Sequence, residues 1–163
     1  MGKEECLVFI KPEFIWNREN IWRTLDALVL PYFGPFERTE GEMLWHPSRE
    51  LLAAHYAHIA EPFPRIYSDM LRTFPEGGLH VRVYRGEEGL IDALRYHIGD
   101  TNPRKAEEGT IRFMFSDDDL IVAKGQGRAV HNVVHASGNP KEGRVEVARF
   151  RPYLKNFDFV KVQ

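Results

Sequence analysis

The sequence predicts an α+β fold, an antiparallel sheet on a βαββαβ plan with an added helical hairpin and an insertion before the strand that carries the candidate nucleophile. Three observations predict it. Short segments of strand length, the apolar run at residues 6–10 and the valine-rich stretch at 130–134, alternate with stripes at helical spacing, such as Ile21-Leu25-Leu28-Val29 and Leu90-Ile91-Leu94-Ile98. Proline and glycine fall mostly between these segments. The order that results is strand, helix, strand, helical hairpin, strand, helix, long loop, strand, helix.

Each element has its own justification. Residues 6–10 form a continuous apolar run, as a central strand buried on both faces does, and it stops at Lys11-Pro12. Asn17 is a candidate N-cap for the first helix, which Pro31 and Gly34 end. Residues 36–45 alternate as one partly exposed strand. Ser48 caps a stripe of Leu51, Leu52, His55, Tyr56 and Ile59. Pro62-Phe63-Pro64 breaks that stripe, and a second helix carries Ile66, Met70 and Leu71 until Pro75 and Gly77-Gly78. The two make a hairpin able to form one wall of a cleft.

In residues 79–84, Leu79, Val81 and Val83 alternate with His80, Arg82 and Tyr84, which suits a half-buried strand. The next helix ends at Gly99, and residues 100–109 read as loop. Asp117, Asp118 and Asp119 read as a solvated turn rather than a metal site, and residues 124–127 as another turn. Residues 130–134 then read as a buried strand delivering His135 into a loop, followed by a helix bearing Glu146. The aromatics of the tail, Tyr153, Phe157 and Phe159, suggest packing across the outside of the sheet.

Composition narrows the function. The 163 residues suit a single domain over 1–163, with 43% hydrophobic residues for a core and 28% charged residues for a wet surface. A net charge of −2 argues against nucleic acid or an acidic membrane as the main partner. The single Cys6 makes no intrachain disulfide, and the sequence has no apolar run of membrane-spanning length and no basic-then-apolar leader, so the expected compartment is the cytoplasm. Read alone, His135 is either a satisfied or solvent-facing residue near a strand end, the commoner case, or a candidate nucleophile or base, and Glu146 is a carboxylate placed where it can fold back on the ring and fix its tautomer by accepting from one ring nitrogen.

The residues also carry a resemblance. Val8-Phe9-Ile10-Lys11-Pro12, His55-Tyr56, Pro62-Phe63, Thr101-Asn102-Pro103, Gly109-Thr110-Ile111-Arg112 and Asn132-Val133-Val134-His135-Ala136-Ser137 occur in the order of the nucleoside diphosphate kinase signature, and Arg95 and Glu146 fall at its offsets. Nearly the whole chain resembles that family. The resemblance implies a ferredoxin-like fold and ping-pong transfer of the γ-phosphoryl of a nucleoside triphosphate to a nucleoside diphosphate, through a phosphohistidine on His135. It implies that Lys11, Arg95, Thr101 and Arg112 hold phosphates, that Lys11 and Asn132 reach the sugar, and that Phe63 stacks on the base. It further implies that Tyr56 lies beside His135 and that Glu146, supported by Ser137, orients the imidazole. Stacking without base-edge contacts implies tolerance of all nucleobases.

Mg²⁺ is expected on the nucleotide phosphates rather than in a protein cage. The implied partners are nucleoside di- and triphosphates and copies of the chain itself, as a hexamer with a dimer as fallback. This chain departs from the family pattern in Ala136 and Gly138 around Ser137, in His131 before Asn132, in Phe113 after Arg112, and in a longer span between Arg112 and Asn132.

Other readings compete with this one. A catalytically weak nucleotide-binding or interaction module on the same scaffold would have lost at least one of Lys11, Tyr56, Arg95, Arg112, Asn132, His135 and Glu146, and all are present. A single-stranded RNA binder needs an aromatic Lys/Arg-Gly-Phe/Tyr strand motif, which neither residues 6–10 nor residues 79–84 supply. A metal site on His131 and His135 needs a helical turn between them, whereas a strand separates them by about 13 Å.

Overall fold

The computed structural model describes residues 3–163. Its centre is the antiparallel pair β1 (Glu4–Ile10) and β4 (Leu79–Gly86), with Cys6 opposite Tyr84 and Phe9 opposite Val81. The short β5 (Val134–Ala136) pairs with the far side of β1, and β2 (Phe36–Thr39) with the far side of β4. β6 (Phe159–Val162) extends the sheet beyond β2, and β3 (Glu42–Leu44) also pairs with β4. The order β5-β1-β4-β2-β6 contains the ferredoxin-like arrangement in its first four strands.

Both faces of β1 are covered, which explains its unbroken apolar run. On one face Cys6, Val8 and Ile10 pack with α1 (Arg18–Phe33), α5 (Leu90–Ile98) and α6 (Ile111–Phe115) through Ile21, Leu25, Leu94 and Ile111. On the other, Leu7 and Phe9 meet α2 (Arg49–His55), α4 (Pro64–Gly77) and α8 (Pro140–Phe150) through Leu52, Phe74, Val147 and Phe150. Cys6 is fully buried as a small hydrophobe. Between α2 and α4, the single turn α3 (Ala57–Ala60) completes the hairpin.

Gly143 sets how closely α8 approaches the sheet. A Cβ there would lie 1.9 Å from the Glu5 carbonyl oxygen, a backbone atom that cannot step aside. Gly143→Ala therefore pushes α8, and Glu146 with it, off β1. We expect a loss on the order of 2–3 kcal/mol in denaturant unfolding, larger than any gain in helix propensity.

The structure corrects parts of the sequence reading. Pro31 does not end α1, which runs on to Phe33 because the break falls only at Gly34, whose φ is +105°. Residues 36–45 are two strands, split where Gly41 turns at φ +96° beneath His80. β4 is buried on both faces rather than one. Arg82 and Tyr84 point under α1, where Asp26 accepts from Tyr84 Oη at 2.8 Å, Arg38 at 2.8 Å and Arg82 at 3.3 Å.

Residues 124–126, read as part of a turn, belong instead to the helix α7 (Leu120–Gln126). It is too short to display a stripe, so its cap is the only local signal: Asp119 accepts from the Ile121 N–H. Asp118 meanwhile holds the Arg128 guanidinium with both oxygens, at 2.8 and 2.9 Å, so the aspartate cluster builds the loop. The tail does not lie across the outside. It joins the sheet as β6, with the Arg85 guanidinium 3.8 Å from the centre of the Phe159 ring.

Candidate active site

The loop before β5 carries the largest local departure from the expected strand. Val133 has φ +77°, rare for a β-branched residue, and the Val134 N–H donates across it to the Asn132 carbonyl at 2.9 Å. This is a γ-turn of the strained, positive-φ kind, costing on the order of 1–3 kcal/mol. Its neighbours hold it in place: the Lys11 N–H donates to the Val133 carbonyl at 2.9 Å, and Arg112 grips the carbonyls on either side. The turn directs Asn132 towards Lys11 and returns the chain to the sheet in time for His135.

His135 is the middle residue of β5, directly across from Phe9 of β1, and not a loop residue beyond a strand. The two rings stack at 4.9 Å with 24° between their planes, and His55 of α2 meets His135 edge-on at 4.5 Å. His135 Nε2 lies 2.9 Å from Glu146 Oε1, the same oxygen to which Ser137 Oγ donates at 2.7 Å. Ser137 Oγ in turn accepts the Leu7 N–H at 2.9 Å, so one hydroxyl ties the carboxylate to the central strand.

Electrostatics assigns the protons. Burial opposes charge on Glu146, but the hydrogen bonds from His135 and Ser137 outweigh it, so the carboxyl stays ionised well below its ordinary range. Burial lowers His135, and the contact with Glu146 only partly offsets this, which leaves the ring neutral. A neutral ring beside an ionised acceptor places its proton on Nε2. Nδ1 then keeps its lone pair. His55 is held neutral by burial, with Nδ1 unpartnered 3.9 Å from Glu146 Oε2.

A cleft of about 390 Å³ opens in front of this ring. Lys11, Tyr56, Phe63, Arg95, Thr101, Arg112, Asn132 and His135, all expected from the sequence, line it together, while Glu146 and Ser137 stand behind the histidine. Asn132 is the hub. Its Oδ1 accepts from Lys11 Nζ at 2.6 Å, its Nδ2 donates to the Thr101 carbonyl at 2.9 Å, and its own carbonyl accepts from Arg112 Nε at 3.0 Å.

Arg112 also donates to the carbonyls of Gly99 at 3.0 Å and Val134 at 2.8 Å, which leaves two of its five N–H groups for a ligand. Arg95 is exposed at the end of α5 and reaches the Ala136 carbonyl only at 3.5 Å. The Tyr56 hydroxyl is buried without a partner, and burial raises its pKa, so it remains a donor. Phe63, 40% exposed, forms an aromatic wall.

Sequence reasoning missed three contributors. Phe9 and His55 stood in the signature motifs but were given no role at the site, read otherwise as core and as part of a helix stripe, and the cleft-facing side chains of α7 had no signal. Among the described residues, His55, His135 and Glu146 also form the one histidine-carboxylate group compact enough to hold a metal ion. His131 lies elsewhere, beside Glu13 at 3.3 Å.

A histidine held neutral, with one ring nitrogen bonded to a carboxylate and cationic donors arrayed before it, is a constellation for group transfer to anionic phosphates. Comparisons with known proteins agree. A sequence model of the family described as "Nucleoside diphosphate kinase" matches residues 4–153. Named relatives include the nucleoside diphosphate kinases of Thermomicrobium roseum, 31% identical over 90% of this chain and 87% of the relative, and of Burkholderia thailandensis, 36% identical over 94% and 96%.

Solved structures share the fold. A nucleoside-diphosphate kinase from Borrelia burgdorferi, a transition-state mimic with vanadate and ADP, superposes with a TM-score of 0.74 over 96% of this chain and 92% of its own at 22% identity. A Halobacterium salinarum enzyme in complex with CDP gives 0.69 over 98% and 92% at 22% identity. The chain belongs to the nucleoside diphosphate kinase family, whose members are phosphotransferases.

Proposed function

We propose that this chain carries out the family's reaction, moving the γ-phosphoryl of a nucleoside triphosphate to a nucleoside diphosphate through His135. The observation that carries this reading is the pairing of His135 Nε2 with Glu146 at 2.9 Å, which leaves Nδ1 as the nucleophilic nitrogen facing a cation-lined cleft. In the first half, the Nδ1 lone pair forms a bond to the γ-phosphorus as the bond to the β–γ bridging oxygen breaks. The diphosphate leaves with that electron pair. The Nε2 proton stays on the ring, where Glu146 balances the charge that develops. In the second half, a terminal oxygen of the acceptor diphosphate attacks the same phosphorus and the N–P bond breaks.

The remaining residues position and neutralise. Arg95 and the two free N–H groups of Arg112 meet phosphate oxygens, Thr101 and Tyr56 add hydroxyl donors, and Lys11 supplies a compact charge. Lys11 and Asn132, bonded to each other, reach the ribose hydroxyls, and Phe63 stacks on the base. Family members generally use Mg²⁺. The described residues lining the cleft include no carboxylate, so they do not form a cage for the ion, which fits one carried in by the nucleotide phosphates.

No helix among the described residues is long and apolar enough to cross a membrane, in keeping with a cytoplasmic enzyme. Exposed Trp16, Tyr32 and Tyr96, the last two stacked at 5.2 Å, support a homo-oligomer, hexamer or dimer, which light scattering distinguishes.

Lys11 gives a pH signature. Burial first, and the Arg112 charge second, bring its pKa down to about 7 in the free protein. Phosphate binding favours the ammonium, so affinity is full below about pH 7 and falls as the free protein loses that proton on the alkaline side. We expect KM for the nucleotide to rise from neutral to alkaline pH in the native chain. Lys11→Met should show a raised KM without that limb.

The reaction order is tested by initial rates with both substrates varied. Parallel double-reciprocal lines are expected. Intersecting lines, the mark of direct transfer in a ternary complex, would overturn the covalent route.

A further inference from the structure

The helix α7, which lies within the longer span between Arg112 and Asn132, brings to the cleft a cation that the reaction above does not use. It is pinned at both ends. Asp119 accepts from Asn102 Nδ2 at 3.3 Å, Asn102 Oδ1 accepts from the Leu120 N–H at 3.0 Å, and Arg65 of α4 donates to the Gln126 carbonyl at 3.3 Å. Leu120 and Lys124, one helical turn apart, therefore share the face that lines the cleft. Lys124 Nζ stands 5.0 Å from the centre of the Phe63 ring.

Building on the assignment of Phe63 as the base platform, we infer that Lys124, on the span by which this chain departs from the family pattern, adds a base-edge contact and so narrows the tolerance of all nucleobases that stacking alone implies, favouring nucleotides with keto bases, guanine and uracil, over those with amino bases, adenine and cytosine. A base stacking on Phe63 takes the ring face that the ammonium now covers. With the helix backbone pinned, the exposed Lys124 stem keeps its ammonium within reach of the edge of a base stacked on Phe63. The ammonium has three donors and no acceptor, so it pairs with both guanine O6 and N7 or with uracil O4, whereas adenine offers it N7 alone beside an opposing N–H₂ and cytosine presents its N–H₂ where uracil has O4.

Nothing nearby reverses this preference. Besides Lys124, the polar side chains lining the cleft that the reaction does not use are His58 and Arg128, neither of them a carboxylate, and the Arg128 guanidinium is already committed to Asp118. No carboxylate among the described lining residues is available to accept from an amino group or to draw Lys124 away.

The test is single-turnover discharge of the phosphoenzyme, labelled from the γ-phosphate of ATP, by GDP, UDP, ADP and CDP. In the native chain the second-order rate constants for GDP and UDP should exceed those for ADP and CDP by at least about fivefold, the low end of what one directed base-edge contact confers. Lys124→Met should bring the ratio close to one, and Lys124→Arg should keep it. Because the readout is a ratio within one preparation, a general loss of fold or rate does not imitate the effect.

Equal rates for the four diphosphates in the native chain, or a preference that survives Lys124→Met, would overturn the assignment while leaving the phosphohistidine reading intact. Failure to form a phosphoenzyme from any nucleoside triphosphate would overturn both.

Discussion

Replacing His135 with alanine lowers turnover by about 10⁴-fold or more, because no other group can accept the phosphoryl group in the proposed route. Its cause is chemical rather than structural. Glu146 keeps its bond from Ser137 at 2.7 Å, and Lys11, Asn132 and Arg112 are held by one another and by backbone carbonyls rather than by the imidazole. The cleft therefore survives the substitution, and nucleotide still binds. Coupled-assay rates together with calorimetric titration of a nucleoside diphosphate separate the two quantities. Turnover near the native rate would show that the phosphoryl group does not pass through this ring.

Arg112→Ala has the second-largest expected effect, a rate loss on the order of 10² to 10³ from removal of a preorganised donor. Here the structure adds a consequence that a simple phosphate contact would not have. The guanidinium fastens the carbonyls of Gly99, Asn132 and Val134, and so joins the end of α5, the γ-turn at Val133 and the start of β5. Its loss frees a strained turn as well as a ligand site, and we expect a stability decrease on the order of 3 kcal/mol. Arg112→Lys should restore charge but not the three-way grip, because an ammonium cannot present the planar fork. Denaturant unfolding, together with kcat/KM taken well below the unfolding transition of the variant, checks this. A variant of native stability and near-native rate would contradict it.

The fold and the site were legible in the sequence to different depths. β1 and α5 were plain because each has an apolar pattern longer than one turn or one strand pair, bounded by Lys11-Pro12 or Gly99. The pairing of His135 with Glu146 was open to reading from a carboxylate placed where it can fold back on the ring, but the resemblance, not spacing alone, gave it its role. What escaped was set by tertiary contacts. Arg82 and Tyr84 read as the polar side of a strand, but three partners around Asp26 allow them to be buried.

The run Val130 to Val134 read as strand because β-branched residues favour it, yet Lys11 and Arg112 hold Val133 at a positive φ. α7 has too few residues for a periodic signal. Its bearing on the cleft depends on Asn102 and Arg65, both remote in sequence.

The measurement that bears most directly on the central claim is the chemistry of the labelled protein. After incubation with ATP labelled on its γ-phosphate and removal of free nucleotide, the chain should carry one phosphoryl group. That group should be lost in acid, retained in base, mapped to Nδ1 of His135 by mass spectrometry and phosphorus NMR, and discharged by an added diphosphate. An unlabelled native protein, or a label that is acid-stable and sits on another residue, would contradict the account.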